Sequence, residues 1–234
     1  MRILAIETST EYCSIALLDG DAATSYSELA GQRHSEILLS MIDRLLTESN
    51  RQLTDLDALA FGAGPGSFTG VRIAASVAQG LAFGADIPVV PVCTLEALAE
   101  ASGASRIACA LDARLDEVYF AAYERDGQDW NIVIEPCLSP ISELESLPGD
   151  GWQGVGSGFS ILDGQLAKHL HIPSTDSTQV PQADAVARLA VRKLQSGKKF
   201  DFDAATLDAA LAQPIYLRNK VAMTIIERHA KGYK

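Results

Sequence analysis

The sequence has few cysteines, and their spacing matches no metal-binding or redox motif. The four cysteines stand 80, 16 and 28 residues apart, whereas zinc knuckles and dithiol motifs place two cysteines within a few residues of each other. Their sequence neighbours are apolar. We therefore expect reduced, buried cysteines that pack as small hydrophobic side chains. They are Cys13, Cys93, Cys109 and Cys137.

The sequence also lacks an apolar run that is long enough to cross a membrane. The best candidate, residues 71–83, contains Arg72 and many small side chains, and it is shorter than the roughly 20 residues that a spanning helix needs. The first residues lack the apolar run and cleavage site of a secretory signal. These absences predict a cytoplasmic protein without membrane contact.

Basic residues are scarce. The sequence has 19 Lys and Arg against 30 Asp and Glu, which gives a formal net charge of −11. Because nucleic-acid binding depends on counterion release by Lys and Arg, this balance argues against direct, sequence-independent contact with nucleic acid. The C-terminal tail is locally basic, and we expect it to be solvated, with contact to an acidic partner or RNA phosphate as the alternative. Its basic residues are Arg218, Lys220, Arg228, Lys231 and Lys234.

Catalytic motifs are absent as well. None of the four histidines has a partner at the spacing of a zinc-binding HExxH motif, and no serine occupies a GxSxG nucleophile elbow. The sequence therefore predicts neither a catalytic centre nor a metal site. The histidines are His34, His169, His171 and His229.

What is present is a chain of ordinary globular composition with a weak internal duplication. Its 234 residues are 47% hydrophobic and 21% charged, which fits one large or two medium domains. Residues 3–20 resemble residues 107–127 when Glu7 is aligned with Asp112. Each copy reads as an apolar strand, a short polar turn, a second apolar strand and an Asp-Gly turn. The duplication predicts two similar subdomains, 1–104 and 105–213, followed by a tail at 214–234.

Helical and strand patterns alternate between the two copies. This alternation predicts an α/β fold in which helices pack on mixed sheets, each opened by a β-hairpin. In the first half we predict helices at 34–48, 68–83 and 94–102 and strands at 57–61 and 88–92. In the second half, whose elements are shorter, we predict helices at 183–195 and 204–212.

One carboxylate ends the first strand of each copy, and the two together could serve a ligand. Strand ends followed by tight turns would place both acids and their backbone amides across a cleft, an arrangement that suits a nucleotide phosphate and its metal ion. The alternative is that acids and hydroxyls merely cap strand turns. The candidates are Glu7, Thr8, Ser9 and Asp112.

A glycine-rich loop at 62–70 leads into a predicted helix, where free N–H groups favour an anion. The loop is neither a Walker sequence nor a dinucleotide fingerprint. The alternative is a stiff turn in which Ser67 or Thr69 caps the helix. The candidates for anion contact are Gly64, Gly66 and Ser67.

The helix predicted at 34–48 carries an apolar arc of about 200°, wider than the roughly 100° that one sheet face requires. The helix after the glycine loop has many small side chains, which permit close approach of another helix. We therefore predict a partner interface here, the alternative being that both helices are consumed by their own core. The predicted interface residues are Ile37, Leu38, Met41, Leu45, Ile73, Val77, Gly80 and Leu81. Without a partner, the same face should form a homodimer.

Four motifs resemble one family. ILAIETST at the start, GAGPGSFTGVR from Gly62, ALDARLDEVYFAAY from Ala110 and PIYLRN from Pro214 are similar to those of the TsaB (YeaZ) family of bacterial tRNA threonylcarbamoyladenosine biosynthesis subunits. The resemblance spans essentially the whole chain. It implies the actin-like/Hsp70-like ATPase (ASKHA) fold with two subdomains.

The resemblance also implies a function. The paralogous catalytic subunit, TsaD, binds metal through two histidines in an NHMEGH motif, where this chain has Thr94 and Leu98. It therefore implies a non-catalytic subunit that pairs with TsaD through its first two helices, together with the ATPase TsaE. tRNA would be contacted indirectly, no cofactor would be required, and ATP or ADP would act at the level of the complex. Two alternatives remain: a stand-alone ATPase or small-molecule kinase, and a metallopeptidase.

Overall fold

Two five-stranded sheets carry the fold. The computed structural model describes residues 1–196, 208–209 and 212–218. Most of the helix predicted at 204–212 and most of the basic tail, including Lys220, Arg228, Lys231 and Lys234, lie outside the described residues. No helix in the described part of the chain is long and apolar enough to cross a bilayer.

The first sheet has the order β3-β2-β1-β4-β5. β1, β2 and β3 form an antiparallel meander, whereas β4 and β5 extend the sheet parallel to β1. Its strands are β1 (Arg2–Glu7), β2 (Tyr12–Asp19), β3 (Ala22–Leu29), β4 (Ala58–Gly64) and β5 (Val89–Cys93). The predicted hairpin thus gains a third strand. Sequence patterning did not predict β3, because it is an edge strand that is almost wholly exposed and lacks apolar alternation.

The second sheet repeats this arrangement with the order β10-β9-β6-β7-β8. β6, β7 and β8 form the second meander, and β9 lies parallel to β6. The strands are β6 (Arg106–Asp112), β7 (Glu117–Asp126), β8 (Asp129–Pro140), β9 (Gln153–Val155) and β10 (Ser174–Asp176). The predicted duplication is therefore confirmed at the level of topology, with Glu7 and Asp112 as the last residues of equivalent strands.

The four longer helices agree closely with the predicted positions, whereas the short helix α4 was not predicted. They are α1 (His34–Glu48), α2 (Phe68–Ala85), α3 (Thr94–Ser102), α4 (Gln165–His169) and α5 (Ala183–Ser196). α2 begins after Ser67, whose side chain accepts a hydrogen bond from the Gly70 N–H group. α3 ends at Ser102 and is followed by Gly103, whose φ of 71° suits a residue without a Cβ atom.

The two halves exchange helices. α1 and α2 pack on one face of the first sheet, and α5, from the second half of the sequence, packs on its other face. In return, α3, which comes from the first half of the sequence, packs on the second sheet. The boundary predicted near residue 104 therefore separates the two sheets but not the helices that cover them. The reason is that the small apolar face of α5 fits the alanine-rich face of β1 and β4.

A buried carboxylate joins the elements that cross between the halves. The side chain of Glu100 on α3 is only 7% exposed, and it accepts hydrogen bonds from Arg192 of α5, from Arg125 of β7 and from the Trp130 indole of β8. Burial raises the pKa of this carboxyl, but the bonds from Arg192 and Trp130 outweigh it and leave the pKa below its ordinary value. Glu100 thus fixes α3 and α5 relative to the second sheet.

The four cysteines are free thiols. Cys13 and Cys109 are buried as predicted, while Cys93 and Cys137 are only half-buried. Burial raises the pKa of the Cys13 thiol to about 12, with a smaller contribution from the charge of Glu28. A thiol with so high a pKa is a poor nucleophile at neutral pH.

Candidate functional site

A cleft of about 760 Å³ lies between the turn after β1, the loop before α2 and the turn after β6. Of the predicted ligand-binding residues, Ser9, Gly66, Ser67 and Asp112 line this cleft. Glu7 and Thr8 are buried beneath it, 1% and 0% exposed, respectively. The structure therefore brings four of the predicted residues together and places only one of the two carboxylates at the cleft.

The Glu7 side chain is buried between Gly62 of β4 and the turn after β1. Its Oε1 atom accepts a hydrogen bond from the Ser9 N–H group at 2.6 Å, and its Oε2 atom is buried without a partner among the described residues. A Cβ atom on Gly62 would lie 1.8 Å from Oε2, so glycine is needed there. Burial raises the pKa of Glu7 by more than the bonds from Ser9 and Thr8 lower it. In this arrangement Glu7 offers no oxygen to a ligand in the cleft.

The buried environment of Glu7 predicts that the effect of Glu7→Gln on the stability of the folded state depends on pH. Because the pKa of Glu7 is higher in the folded chain than in the unfolded chain, the folded state binds the proton more tightly and loses stability as pH rises above about 4.3. Glutamine removes this loss. The variant should therefore gain stability relative to wild type as pH rises from about 4.5 to about 8, at a rate of no more than about 1.4 kcal/mol per pH unit.

Urea unfolding at the two pH values measures this difference. Glu36→Gln, at an exposed glutamate in the first turn of α1, is the matched control and should show little change with pH. A stability difference between Glu7→Gln and wild type that stays constant from about pH 4.5 to about pH 8 would contradict the assignment.

The glycine loop owes its composition to close packing against the turn after β1. A Cβ atom on Gly70 would lie 1.9 Å from the Thr8 carbonyl oxygen, and one on Gly66 would lie 2.6 Å from the carbonyl oxygen of Ser9. The Thr8 hydroxyl donates to the Gly70 carbonyl at 2.8 Å, and the Ser67 N–H group donates to the Ser9 carbonyl at 2.7 Å. These contacts support the interpretation of the loop as a stiff turn, in which Ser67 rather than Thr69 caps α2.

Asp112 is occupied by its own turn. Its Oδ1 atom accepts from the Arg114 N–H group at 2.7 Å, and Oδ2 accepts from the Arg114 guanidinium at 2.8 Å. The three residues Arg114, Leu115 and Asp116 all have positive φ angles, between 58° and 64°. Leu115 is 44% exposed at the cleft. The turn therefore presents an arginine and a leucine to the cleft, with the carboxylate drawn back to support them.

A second concave surface lies between α1 and α2, and we call it the helix groove. It has a volume of about 430 Å³ and is lined by Ser35, Leu38, Leu39, Phe68, Thr69, Arg72, Ile73, Ser76 and Val77. Leu39 is 54% exposed and Phe68 is 41% exposed. Leu38, by contrast, is fully buried at the floor. The groove is thus apolar, with a polar edge formed by serine, threonine and arginine.

The helix groove contains only part of the predicted interface. Five of the eight predicted residues are half-buried against the first core, namely Ile37, Met41, Ile73, Val77 and Leu81. Gly80 is exposed, and a Cβ atom there would meet open space. Leu38 and Leu45 are 0% exposed, so they belong to the chain's own core and offer no surface to a partner. These two residues differ from the prediction because the first sheet covers a wider part of the apolar arc of α1 than the sequence analysis assumed.

Sequence patterning missed three exposed apolar residues on these helices. Leu39 stands at the edge of the predicted arc, Phe68 begins α2, and Phe83 near its end is 79% exposed. For the two phenylalanines, a large apolar side chain in the first or last turn of α2 was the available signal. The outer face of α2 between the two phenylalanines carries the small residues Ser76 and Gly80, both exposed.

The two positions that the sequence resemblance aligns with the histidines of the NHMEGH motif are interior positions in this structure. Thr94 and Leu98 are each 0% exposed, and the Thr94 hydroxyl accepts a hydrogen bond from the Gly64 N–H group at 3.1 Å. Within residues 1–196, 208–209 and 212–218, no three His, Cys, Asp or Glu side chains gather closely enough to hold a metal ion.

Comparisons with known proteins agree with this architecture. The family model described as TsaD, tRNA N6-adenosine threonylcarbamoyltransferase, matches residues 24–226. A TsaB protein from Escherichia coli (strain K12) is 39% identical over 233 residues, which cover 95% of this chain and 96% of that protein. A TsaB protein from Haemophilus influenzae is 38% identical over 234 residues, which cover 94% of this chain and 95% of that protein.

Solved structures give the same result. YeaZ from Pseudomonas aeruginosa superposes with a TM-score of 0.81 at 36% identity and covers 92% of this chain and 99% of its own. The two mixed sheets with flanking helices are therefore those of the actin-like/Hsp70-like ATPase (ASKHA) fold. From sequence identity, length and fold together, the chain belongs to the TsaB (YeaZ) family of tRNA threonylcarbamoyladenosine biosynthesis proteins.

Proposed function

We propose that this chain is a non-catalytic partner subunit in the biosynthesis of tRNA threonylcarbamoyladenosine. In this role it docks a TsaD-like catalytic subunit on the helix groove and on the outer face of α2. The observation that carries the proposal is the exposed apolar surface of the groove, with Leu39 and Phe68 about half exposed beside each other. An apolar surface of this kind with a polar edge is typical of a protein–protein interface.

The shape of the surface suits a helix of the partner. Ser76 and Gly80 leave the centre of α2 low, so that a second helix can approach closely, while Phe68 and Phe83 stand at the two ends. A TsaD-like chain is the occupant that the family supports. This chain matches a TsaD model over residues 24–226, so a TsaD-like subunit would share the fold and present a similar pair of helices.

The cleft supports a partner role better than an independent enzyme. A stand-alone ATPase or kinase would need carboxylates at the cleft to hold a metal-bound nucleotide, but Glu7 is buried and Asp112 is paired with Arg114. Nucleotide and anion binding by Ser9, Gly66 and Ser67 stays a prediction. The TsaE-like ATPase, indirect contact with tRNA, ATP or ADP held by the assembly and a cytoplasmic location complete the proposal.

Leu39→Asp tests the docking surface. Leu39 lines the groove and is exposed, so its substitution introduces a charge into the interface with little effect on the core. We expect the affinity for the TsaD-like subunit of the same organism to fall by about 30-fold or more, the effect of losing a residue at the centre of an interface. Isothermal titration calorimetry measures it.

Ile132→Asp is the matched control, because Ile132 is 48% exposed on β8 of the second sheet, away from α1 and α2. It should bind like wild type. Light scattering on the isolated chain is the second readout: wild type should dimerise through the same face, and Leu39→Asp should be monomeric. Equal affinity of both variants for the TsaD-like subunit would refute the assignment. Steady ATP turnover by the isolated chain would favour the enzyme alternative.

A further inference from the structure

A short segment near the end of the described chain crosses the cleft, and we call residues 212–218 the strap. Its first part is bound to the first half of the fold. The Ile215 N–H group donates to the Ala63 carbonyl at 2.7 Å, and the Gln79 side-chain amide donates to the Ala212 carbonyl at 2.7 Å. Ile215 also packs against the core beneath α1 and α2.

The last residue of the strap is bound to the second half. The Arg218 guanidinium donates to the Glu117 carboxylate at 2.7 Å and to the Ala113 carbonyl at 3.0 Å. The Arg218 side chain is only 18% exposed, so this ion pair is largely shielded from solvent. Since Ile215, Tyr216 and Arg218 all line the cleft, the strap runs along its wall and ties the two halves together.

The middle of the strap is linked to the helix groove through an aromatic and cationic cluster. The Nε atom of Arg72 donates to the Tyr216 hydroxyl at 2.9 Å, and the Arg72 guanidinium lies 3.7 Å from the ring centroid of Phe68. The rings of Phe68 and Tyr216 are 6.1 Å apart. Phe68 and Arg72 line the groove, whereas Phe68 and Tyr216 line the cleft. One phenylalanine therefore belongs to both concave surfaces.

We propose that the strap couples the helix groove to the cleft, so that a subunit docked in the groove holds the strap across the cleft. The inference rests on the proposed function, which supplies the occupant of the groove. In the bound state of the strap, Arg72 and Phe68 have the positions described above. In the released state, Tyr216 leaves Arg72, Arg218 leaves Glu117, and both groove residues lose their support. A partner that contacts Phe68 and Arg72 therefore binds the strap-bound state more tightly.

Thermodynamic linkage makes this coupling reciprocal: whatever releases the strap weakens docking, and docking protects the strap. Arg218→Gln is the appropriate variant, because Arg218 contacts the second half and is absent from the groove lining. In the isolated protein, amide hydrogen exchange of the peptide that contains Ile215 should become about 10-fold faster, the effect of losing a charged hydrogen bond.

Arg106→Gln is the matched control. Arg106 likewise donates to one carboxylate, that of Glu124, and to one carbonyl, that of Asp150, but it lies on β6 away from the strap. The affinity of Arg218→Gln for the TsaD-like subunit should fall by up to about 10-fold, because linkage limits the loss to the change in strap opening, while Arg106→Gln should bind like wild type. Docking of the subunit on wild type should slow exchange of the strap.

Two results overturn the coupling but leave the proposed function intact. One is faster strap exchange in Arg218→Gln with unchanged affinity. The other is lower affinity with unchanged strap exchange in the isolated protein, since this pattern means that Arg218 contacts the subunit directly. In both cases the Leu39→Asp result still reports on the docking surface itself. If wild type does not bind the TsaD-like subunit at all, the proposed function and the coupling fail together.

Discussion

Glu100→Ala should lower the free energy of unfolding by about 3 kcal/mol, the cost of removing one partner from a buried ion pair. Alanine at this position leaves the guanidinium groups of Arg125 and Arg192 without their carboxylate, and Arg192 is itself only 18% exposed. It also removes the acceptor of the Trp130 indole N–H group. The loss is large because three elements of the second half, α5, β7 and β8, all contact this one side chain of the first half.

Glu124→Ala is the control for this variant. Glu124 is paired with Arg106 on the surface of the second sheet, where the two side chains are 42% and 35% exposed. Exposed pairs contribute roughly 0–1 kcal/mol. Urea unfolding of both variants at pH 7 gives the comparison. Similar small losses for the two variants would show that Glu100 is no more than another surface pair.

Gly70→Ala should destabilise the chain by about 2–3 kcal/mol, because its Cβ atom would lie 1.9 Å from the backbone carbonyl of Thr8. The neighbour is backbone in a turn that is fixed by the Thr8 hydroxyl bond to Gly70, so it has little freedom to move. The clash outweighs the gain of roughly 1 kcal/mol that alanine brings to a helix in place of glycine.

Gly80→Ala provides the opposite expectation within the same helix. A Cβ atom on Gly80 meets nothing within 4 Å, so only the helix propensity changes and stability should rise by about 1 kcal/mol. Thermal unfolding followed by circular dichroism measures both variants. If Gly70→Ala were as stable as Gly80→Ala, the close approach of the glycine loop to the turn after β1 would be disproved.

Periodicity in the sequence was sufficient to locate most of the helices. α1 and α3 have the predicted bounds, and α2 extends two residues beyond its predicted end at Phe83. These segments have strong local signals, namely apolar spacing near 3.6 residues and a glycine after α3. The third strand of each meander had no such signal: β3 is exposed and polar, and β8 carries Pro136 within its span.

The candidate site was harder to predict, because sequence does not reveal where a side chain points. A carboxylate at a strand end has the same pattern whether it faces a cleft, as Asp112 does, or a neighbouring glycine, as Glu7 does. Likewise, an apolar arc shows that α1 needs cover but not how much its own sheet supplies. The fully buried Leu38 and the exposed Leu39 are adjacent in sequence, and only packing distinguishes them.

The exchange of helices has a consequence for synthesis on the ribosome. When the first sheet emerges, its face with Ile3, Ala16 and Val90 awaits α5, which is translated about a hundred residues later. A nascent chain that contained only the first half would therefore display a bare apolar face, the kind of surface that chaperones bind. Productive folding of either half thus depends on completion of the other.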